Sequence, residues 1–405
     1  MNVGAQNGKV WLKRLAGGCL RIVVRLMFPF RRAPRLDDAA LRAATSFLLI
    51  RPEGLGDIVL TMPAIACLRG VNARAKIAMA VRPMFAEFVR DIGIVDEVVV
   101  LDFPKRSTLQ VGKLGQFLAQ VWSLRGRYDV AWDFRGDPRN AILGALAARI
   151  VAGAPAHGTE FLLSAVHAGL PNTPAAERNL EIVAVGTGGR PTPKVEEYAG
   201  SFDYRMREEV GERARRLRGG WKDYIVVHPS ASRPSNQWGV SRWREVIRGL
   251  TGDGENVVIS GSGGGDEQAV REILEGVEGN GRVLNLVNRT TCSELAVLVG
   301  EARALISPDT GVAHIAFARG VPSVTLFGSD SESTWGHPTR VNRQVFATLP
   351  CRPCRAYWCP RTDRPGECMD LISVEAVRSS LRAALKGEPA ADAEGQAGMA
   401  KETAR

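Results

Sequence analysis

Twice along this chain, short aliphatic runs alternate with amphipathic stretches, and that alternation constrains the fold more than any other feature. In the first series "SFLLI" (46–50), "KIAMAV" (76–81), "EVVVL" (97–101) and "DVAWDF" (129–134) read as strands, with helices expected over 57–70, 84–92, 109–124 and 138–149. In the second, "YIVVH" (224–228), "NVVIS" (256–260), "RVLNLV" (282–287), "ALIS" (304–307) and "SVTLFG" (323–328) read as strands. Its helices are expected over 241–250, with Ser241 as N-cap, and over 266–276, 293–301 and 311–319. Strands alternating with helices build a parallel sheet covered on both faces. Residues 186–222 are rich in Gly, Pro and charge and carry no clear strand pattern, so the domain boundary is placed there. The chain is therefore predicted to be α/β, with two doubly wound, Rossmann-like domains, 46–200 and 201–372, facing each other across a cleft. A helix over 373–386 follows, then a tail, 387–405, that lacks large apolar residues and is expected to be disordered.

Charge is unevenly placed. The net charge of the 405 residues is +10, which favours anionic partners. Residues 1–45 hold nine Lys and Arg against Asp37 and Asp38 alone, so most of the excess belongs to this extension and not to the folded body. A nucleic-acid partner is not expected from that distribution. On a helical wheel for residues 9–32, Trp11, Leu12, Leu15, Cys19, Ile22, Val23, Leu26, Met27 and Phe30 fall in an arc of roughly 160°, opposite Lys13, Arg14, Arg21 and Arg25. Arg21 and Arg25 interrupt the apolar run, which is short of the ~20 residues needed to span a bilayer. A helix lying on an anionic membrane surface fits this pattern; a helix packed on the body of the protein fits it as well.

Ligands of doubly wound sheets bind beyond the carboxyl ends of the strands, so the turns after the strands are the places to search. "RPEGLGD" follows the first strand. Gly54 and Gly56 resemble part of a dinucleotide fingerprint, but Val59 occupies the third glycine position and the 76–81 strand has no acidic residue at its end, so an oxidoreductase is not supported. "DTGVAH" (309–314) opens a helix, where free N–H groups and the helix dipole suit a diphosphate; Asp309, Thr310, Gly311 and His314 form the candidate cradle. Ser230 and Ser232 in "HPSASRPSNQW" leave room for a ligand, and Asp266 or Glu267 in "SGSGGGDEQ" could bind ribose hydroxyls. Each of these stretches also reads plausibly as an ordinary capped or solvent-exposed loop.

Taken in order, the Gly-Asp turn with "DIVLTMPAI", the "HPSAS…W" loop and "DTGVAHIAFARGVPSVTLFG" resemble glycosyltransferase family 9, the heptosyltransferases of lipopolysaccharide core assembly, over roughly residues 46–386. The segment "LPCRPC…CP" resembles the family too. This resemblance implies a GT-B fold and metal-independent, inverting transfer of a sugar, heptose in this family, from a nucleotide-diphosphate donor such as ADP-heptose. The acceptor it implies is a lipopolysaccharide-core or related lipid-linked glycan at the cytoplasmic face of the inner membrane. It also makes Asp57 the catalytic base, a role that fits the chemistry, because the base must take the acceptor hydroxyl proton as that oxygen attacks. Gly54 and Gly56 would then open access to Asp57. Arg135 and Arg139 of "WDFRGDPRN" would hold acceptor anions. Asn236 stands where the family carries a lysine near the donor, and Arg233 is an available substitute.

Seven cysteines suit a reducing compartment. Four of them, Cys351, Cys354, Cys359 and Cys368, are spaced C-x2-C-x4-C-x8-C, so a structural zinc is one reading and reduced loop cysteines the other. Two further functions stay open at this level. One is a sugar-nucleotide epimerase or hydrolase on the same fold; the other is a non-catalytic membrane-associated relative.

Overall fold

Eight-tenths of strand β1 (Ser46–Ile50) is buried apolar side chain, since Phe47, Leu48, Leu49 and Ile50 are all inaccessible to solvent. A strand that is apolar on both faces belongs at the centre of a parallel sheet with helices on each side. The computed structural model, described for residues 21–22, 24–29, 31–103, 111–155, 158–167, 173–185, 206–277 and 281–389, places it there. With β2 (Lys76–Val81), β3 (Glu97–Val100), β4 (Tyr128–Asp133), β5 (Ala148–Gly153) and β6 (Ala165–Val166) it forms a six-stranded sheet in the order β3-β2-β1-β4-β5-β6. All pairings are parallel, and β1 is registered with Phe47 opposite Ile77 on one side and Val130 on the other.

The second sheet repeats this plan. It contains β7 (Ile225–Val227), β8 (Val257–Ile259), β9 (Val283–Asn285), β10 (Ala304–Pro308), β11 (Ser323–Phe327) and β12 (Asn342–Phe346) in the order β12-β11-β10-β7-β8-β9. Read from the other edge, both sheets have the order 3-2-1-4-5-6, in which the winding reverses between the first and fourth strands. The two expected α/β halves are therefore present.

Several elements differ from the sequence reading. The helix expected over 57–70 is two helices, Leu55–Val59 and Met62–Val71, with Pro63 in the first turn of the second. Proline lacks an N–H and fits a helix start, so the chain restarts there. The helix expected to reach 149 ends at Ala147, and β5 begins at once with "ARIVAG". An alanine-rich run that continues into a short strand leaves no periodicity break to mark the change. Gly239, not Ser241, caps the helix Val240–Gly252, and does so without a side-chain bond. The helices Ala175–Ala184 and Glu208–Leu217 and the strands β6 and β12 were not anticipated. Glu208–Leu217, inside the expected linker, packs against the helix Cys292–Gly300 of the second half. The C-terminal helix Val374–Lys386 has the expected bounds and packs on β11, β12 and Val240–Gly252.

The halves share one hydrophobic core, which runs from Ile58, Val59 and Ile65 into Leu298, Val312 and Ile315. Polar ties reinforce it. Asp91, 2% exposed, accepts from Ser293 Oγ at 2.6 Å and from Arg207 Nε at 2.8 Å.

Most of the N-terminal extension and of the tail lies outside the described residues. At residues 24–27 the chain is helical. Val24, outside the expected apolar arc, packs with Ala141, Ala145, Val151 and Leu162, Phe28 joins them, and the Arg25 guanidinium lies over the Phe161 ring, so this turn packs on the body of the protein. Ile22, Leu26 and Met27 from the arc are 64%, 76% and 55% exposed. Among the described residues no helix is long and apolar enough to cross a membrane.

Candidate active site

Asp57, Arg135, Ser230 and Asp309 follow or end β1, β4, β7 and β10, the central strands that flank the reversal point of each sheet, whereas Asp266 and Glu267 follow β8. Asp57 is the third residue of the helix Leu55–Val59. Its Oδ2 accepts the Gly54 N–H at 3.0 Å, so the carboxylate closes its own helix start. Its Oδ1 lies 3.4 Å from Arg51 Nη2, and its side chain remains 22% exposed. Arg51, at the end of β1, is 2% exposed. Its Nε donates to the Asp57 carbonyl at 3.2 Å and its Nη2 to Asn179 Oδ1 at 3.3 Å. Asn179 in turn donates to the Leu60 carbonyl at 2.8 Å. One buried guanidinium thus joins strand, turn and the Ala175–Ala184 helix around Asp57. Glu53 lies 3.6 Å from Arg51, and burial raises its pKa, opposed by the Arg51 charge.

At the end of β4, Asp133 is fully buried and organises the next loop. It accepts from the N–H groups of Arg135 and Asp137 and from Asn140 Nδ2 at 3.0–3.1 Å. Burial raises its pKa to about 6 against those hydrogen bonds. Arg139 turns back on Asp137, with Nη2 at 2.8 Å from Oδ2. Arg135 remains 55% exposed, 3.5 Å from Glu53.

In the second half, Thr310 is the N-cap of the helix Gly311–Ala318 but makes no capping bond, and its buried Oγ1 has no hydrogen-bond partner. Ser230 Oγ after β7 is likewise unpartnered, whereas Ser232 is exposed. Burial, then the charge of Asp330, raises the Asp309 pKa to about 8. Burial lowers the His314 imidazole to about 4 against the pull of Asp57. Near neutral pH both are therefore uncharged, and the 3.9 Å contact between them is not an ion pair. His314 Nδ1 also lies 3.2 Å from Nε2 of His337, which stacks on Phe317.

The two halves meet at this point. A Cβ on Gly56 would strike the His314 ring and come within 3.2 Å of Gly311 Cα, and one on Gly311 would lie 2.9 Å from Gly56 N. Gly56 is buried in this contact and does not line an open approach to Asp57, which corrects the sequence expectation for that glycine. Gly54 is half-buried, and its N–H is spent on Asp57.

Asn236 is also turned inward. Its Oδ1 accepts from Ser329 N at 2.8 Å and Ser329 Oγ at 2.9 Å, and its Nδ2 donates to Asp330 Oδ2 at 3.0 Å. With these bonds and 2% exposure it anchors the loop after β11 and presents no group to the cleft. Arg233 donates to the other oxygen of Asp330 at 2.6 Å and keeps 38% of its side chain exposed. On the outer loop Asp266 accepts Ser262 N–H at 2.8 Å, and Glu267 accepts from Asn288 at 3.1 Å. Cys351, Cys354, Cys359 and Cys368 line one cavity with Arg352 and Arg361. Among the described residues, however, no three of His, Cys, Asp or Glu are grouped to hold a metal ion, so this arrangement does not fit the zinc expectation.

Sequence reasoning overlooked Arg51, Arg178, Trp335 and His337. Arg51 had a signal, a charge directly after an aliphatic strand. The others sit outside any motif.

A family model described as glycosyltransferase family 9 (heptosyltransferase) matches residues 118–363. Lipopolysaccharide heptosyltransferase 1 of Pseudomonas aeruginosa is 25% identical over 323 residues, 77% of this chain and 86% of that protein. Among solved structures, a glycosyl transferase family 9 protein from Veillonella parvula matches with a TM-score of 0.71 at 18% identity, covering 87% of this chain and 99% of that one. The Escherichia coli heptosyltransferase WaaC with ADP matches at 0.65 and 19%, covering 83% and 99%. The shared fold is GT-B, two Rossmann-like domains that face each other.

Proposed function

The chain belongs to glycosyltransferase family 9, and on that premise we propose that it is an inverting transferase that moves a heptose from a nucleotide-diphosphate donor to a lipopolysaccharide-core or related lipid-linked glycan. The observation that carries this reading is the placement of Asp57. It is a partly exposed carboxylate held by Gly54 N–H and Arg51, on a helix in direct contact with the start of Gly311–Ala318.

In this reading Asp57 takes the proton of the attacking acceptor hydroxyl. The nucleotide diphosphate leaves from the other half, where the Gly311 helix start and the unpartnered Thr310 hydroxyl receive its charge. Asp309 assists by being neutral, because a carboxylate there would repel the diphosphate. His314 supplies a neutral imidazole beside it. Ser230, Asp266 and Glu267 surround the nucleoside side of the donor, with Ser232 at the rim. Arg233 takes over the charge that Asn236 does not bring. Arg135 faces the acceptor; Arg139 would have to leave Asp137 to do so. No metal is assigned to the reaction, since helix N–H groups and arginines meet the charge. ADP-heptose is the donor we favour, because relatives are solved with ADP. The relatives reported above are heptosyltransferases or proteins of this family, which favours sugar transfer over epimerisation or hydrolysis. We place the protein on the cytoplasmic face of the inner membrane, held by its basic N-terminal segment, whose exposed Ile22, Leu26 and Met27 lie beside Arg21 and Arg25.

The test combines a thermal-shift panel of ADP-, GDP-, UDP- and dTDP-sugars with transfer of labelled sugar into truncated lipopolysaccharide. Asp57→Asn is expected to retain donor binding and lose transfer by about 10²–10⁴-fold. Full activity in this variant would remove the base assignment. A wild-type protein that neither binds nor turns over any sugar nucleotide would remove the enzyme reading.

A further inference from the structure

His337 is a second buried histidine of the C-terminal half, and the proposed reaction gives it no task. It follows the short helix Glu332–Trp335 and Gly336. A Cβ on Gly336 would strike Gln344 of β12 and the Glu332 carbonyl, so this turn closes tightly. It delivers the His337 ring to the helix Gly311–Ala318. There the ring stacks on Phe317, with centroids 4.1 Å apart and planes 20° from parallel. Its Nε2 lies 3.2 Å from Nδ1 of His314, one turn earlier on the same helix. The other ring nitrogen of His314 lies at the seam between the halves, where a Cβ on Gly56 would be 3.2 Å from it. That Nε2 is 3.9 Å from Asp309 Oδ1, beyond hydrogen-bond reach.

Both imidazoles are neutral near pH 7. Burial lowers His314 to about 4 against the pull of Asp57. Burial, and then the neighbouring His314, holds His337 well below its ordinary value. A neutral imidazole carries one N–H and one bare nitrogen, so two arrangements satisfy the 3.2 Å contact. In the first, His314 Nδ1–H donates, and the His337 proton must then sit on Nδ1. That nitrogen is buried and has no hydrogen-bond partner among the described residues. A buried N–H without an acceptor is the orphan that folded proteins avoid most strictly. In the second, His337 Nε2–H donates to His314 Nδ1. The unpartnered His337 Nδ1 is then only a lone pair, and the His314 proton is on Nε2, at the seam.

We propose that His337 is a positioning residue: it donates from Nε2 to His314 Nδ1 and so fixes the His314 tautomer whose Nε2–H faces the cleft between the halves. This rests on the glycosyltransferase reading and deepens it. A leaving diphosphate gains negative charge, and a fixed N–H beside the Gly311 helix start and the Thr310 hydroxyl stabilises that charge. The opposite tautomer would present a lone pair at the same point and repel it. The stack on Phe317 serves the same end, because it fixes the plane of the ring that donates.

The experiment labels the histidines of the full chain with 15N and 13C; five histidines give a simple spectrum. Long-range 1H–15N correlation at pH 7 separates protonated from bare ring nitrogens, and His314→Asn and His337→Gln assign the two rings. The expected wild-type result is a His314 proton on Nε2. His337→Phe keeps the stacking ring and removes the donor. It is expected to release the His314 tautomer and to lower kcat/KM for the sugar donor by about tenfold or more, with the acceptor KM within about twofold of wild type. His337→Gln retains an amide N–H donor and is expected to keep the tautomer and recover most of the activity. A wild-type His314 protonated on Nδ1 overturns the proposal. So does a His337→Phe variant that transfers like wild type, or a loss that His337→Gln shares in full while melting like wild type. Should His337→Phe not fold, the wild-type spectrum decides. Active wild type with any of these contrary results sinks this inference alone. Wild type that binds no sugar nucleotide and transfers no sugar sinks the reading beneath it, and the positioning role with it.

Discussion

Asp309 shows how burial sets the behaviour of a single residue. The folded protein keeps its proton up to about pH 8, whereas an unfolded chain releases it near pH 4. The unfolded state therefore binds fewer protons between these values, and stability of the unliganded protein falls as pH rises through that window and levels off above about 8. Asp309→Asn is expected to flatten this slope, seen as a smaller difference in unfolding free energy between about pH 5 and about pH 8; an unchanged slope would assign the effect to another group. At the same scale, Asn236 and Arg233 both bond Asp330 yet differ in exposure. The amide has become a buried anchor for Ser329 and Asp330, and the charge sits three residues earlier at the rim. The side-chain types at 233 and 236 are plain in the sequence. Which of them faces the cleft depends on Asp330, 94 residues further on.

Pairs of elements decide the role of the glycine turn. Gly54 and Gly56 were legible as a tight turn, but the use of Gly56 was not, because the residues that crowd it, Gly311 and His314, come from the other half. Gly56→Ala is expected to force the helices Leu55–Val59 and Gly311–Ala318 apart, costing about 1–3 kcal/mol of stability and most of the transfer activity. Gly70→Ala is the control, since a Cβ there meets nothing within 4 Å, and a gain of up to about 1 kcal/mol is expected from the helix propensity of alanine. Equal melting of the two variants would mean that the halves are not seated on Gly56. The missed strand β5 and helix Ala175–Ala184 belong to this scale as well. β5 has no break in composition at its start, and the helix, although it follows the turn residues of 171–174, takes its buried face from the helix Met62–Val71 it packs on.

At the scale of the whole molecule, the proposed membrane placement can be tested at the exposed residues Ile22 and Leu26. Replacing Ile22 and Leu26 with Asp is expected to reduce pelleting with anionic phospholipid vesicles by about tenfold while transfer to a water-soluble glycan fragment stays near wild type; unchanged pelleting would remove this surface as the anchor. By itself the sequence determined the two parallel α/β halves, because strand and helix periods and turn residues act over a few positions. It also determined that Asp57, Asp309 and Thr310 follow strands, where such sheets bind ligands. Only the tertiary structure decided that Arg51 holds Asp57, that Gly56 seats the second half, that Asn236 turns inward and that Arg178 stands over Trp335. Each of these depends on a partner more than 90 residues away or on removal from water, except the Arg51 contact, which needs the turn to close before a guanidinium six residues from Asp57 can reach it. Local pattern carries no record of such distances, and charge is strong or weak according to the burial that packing imposes.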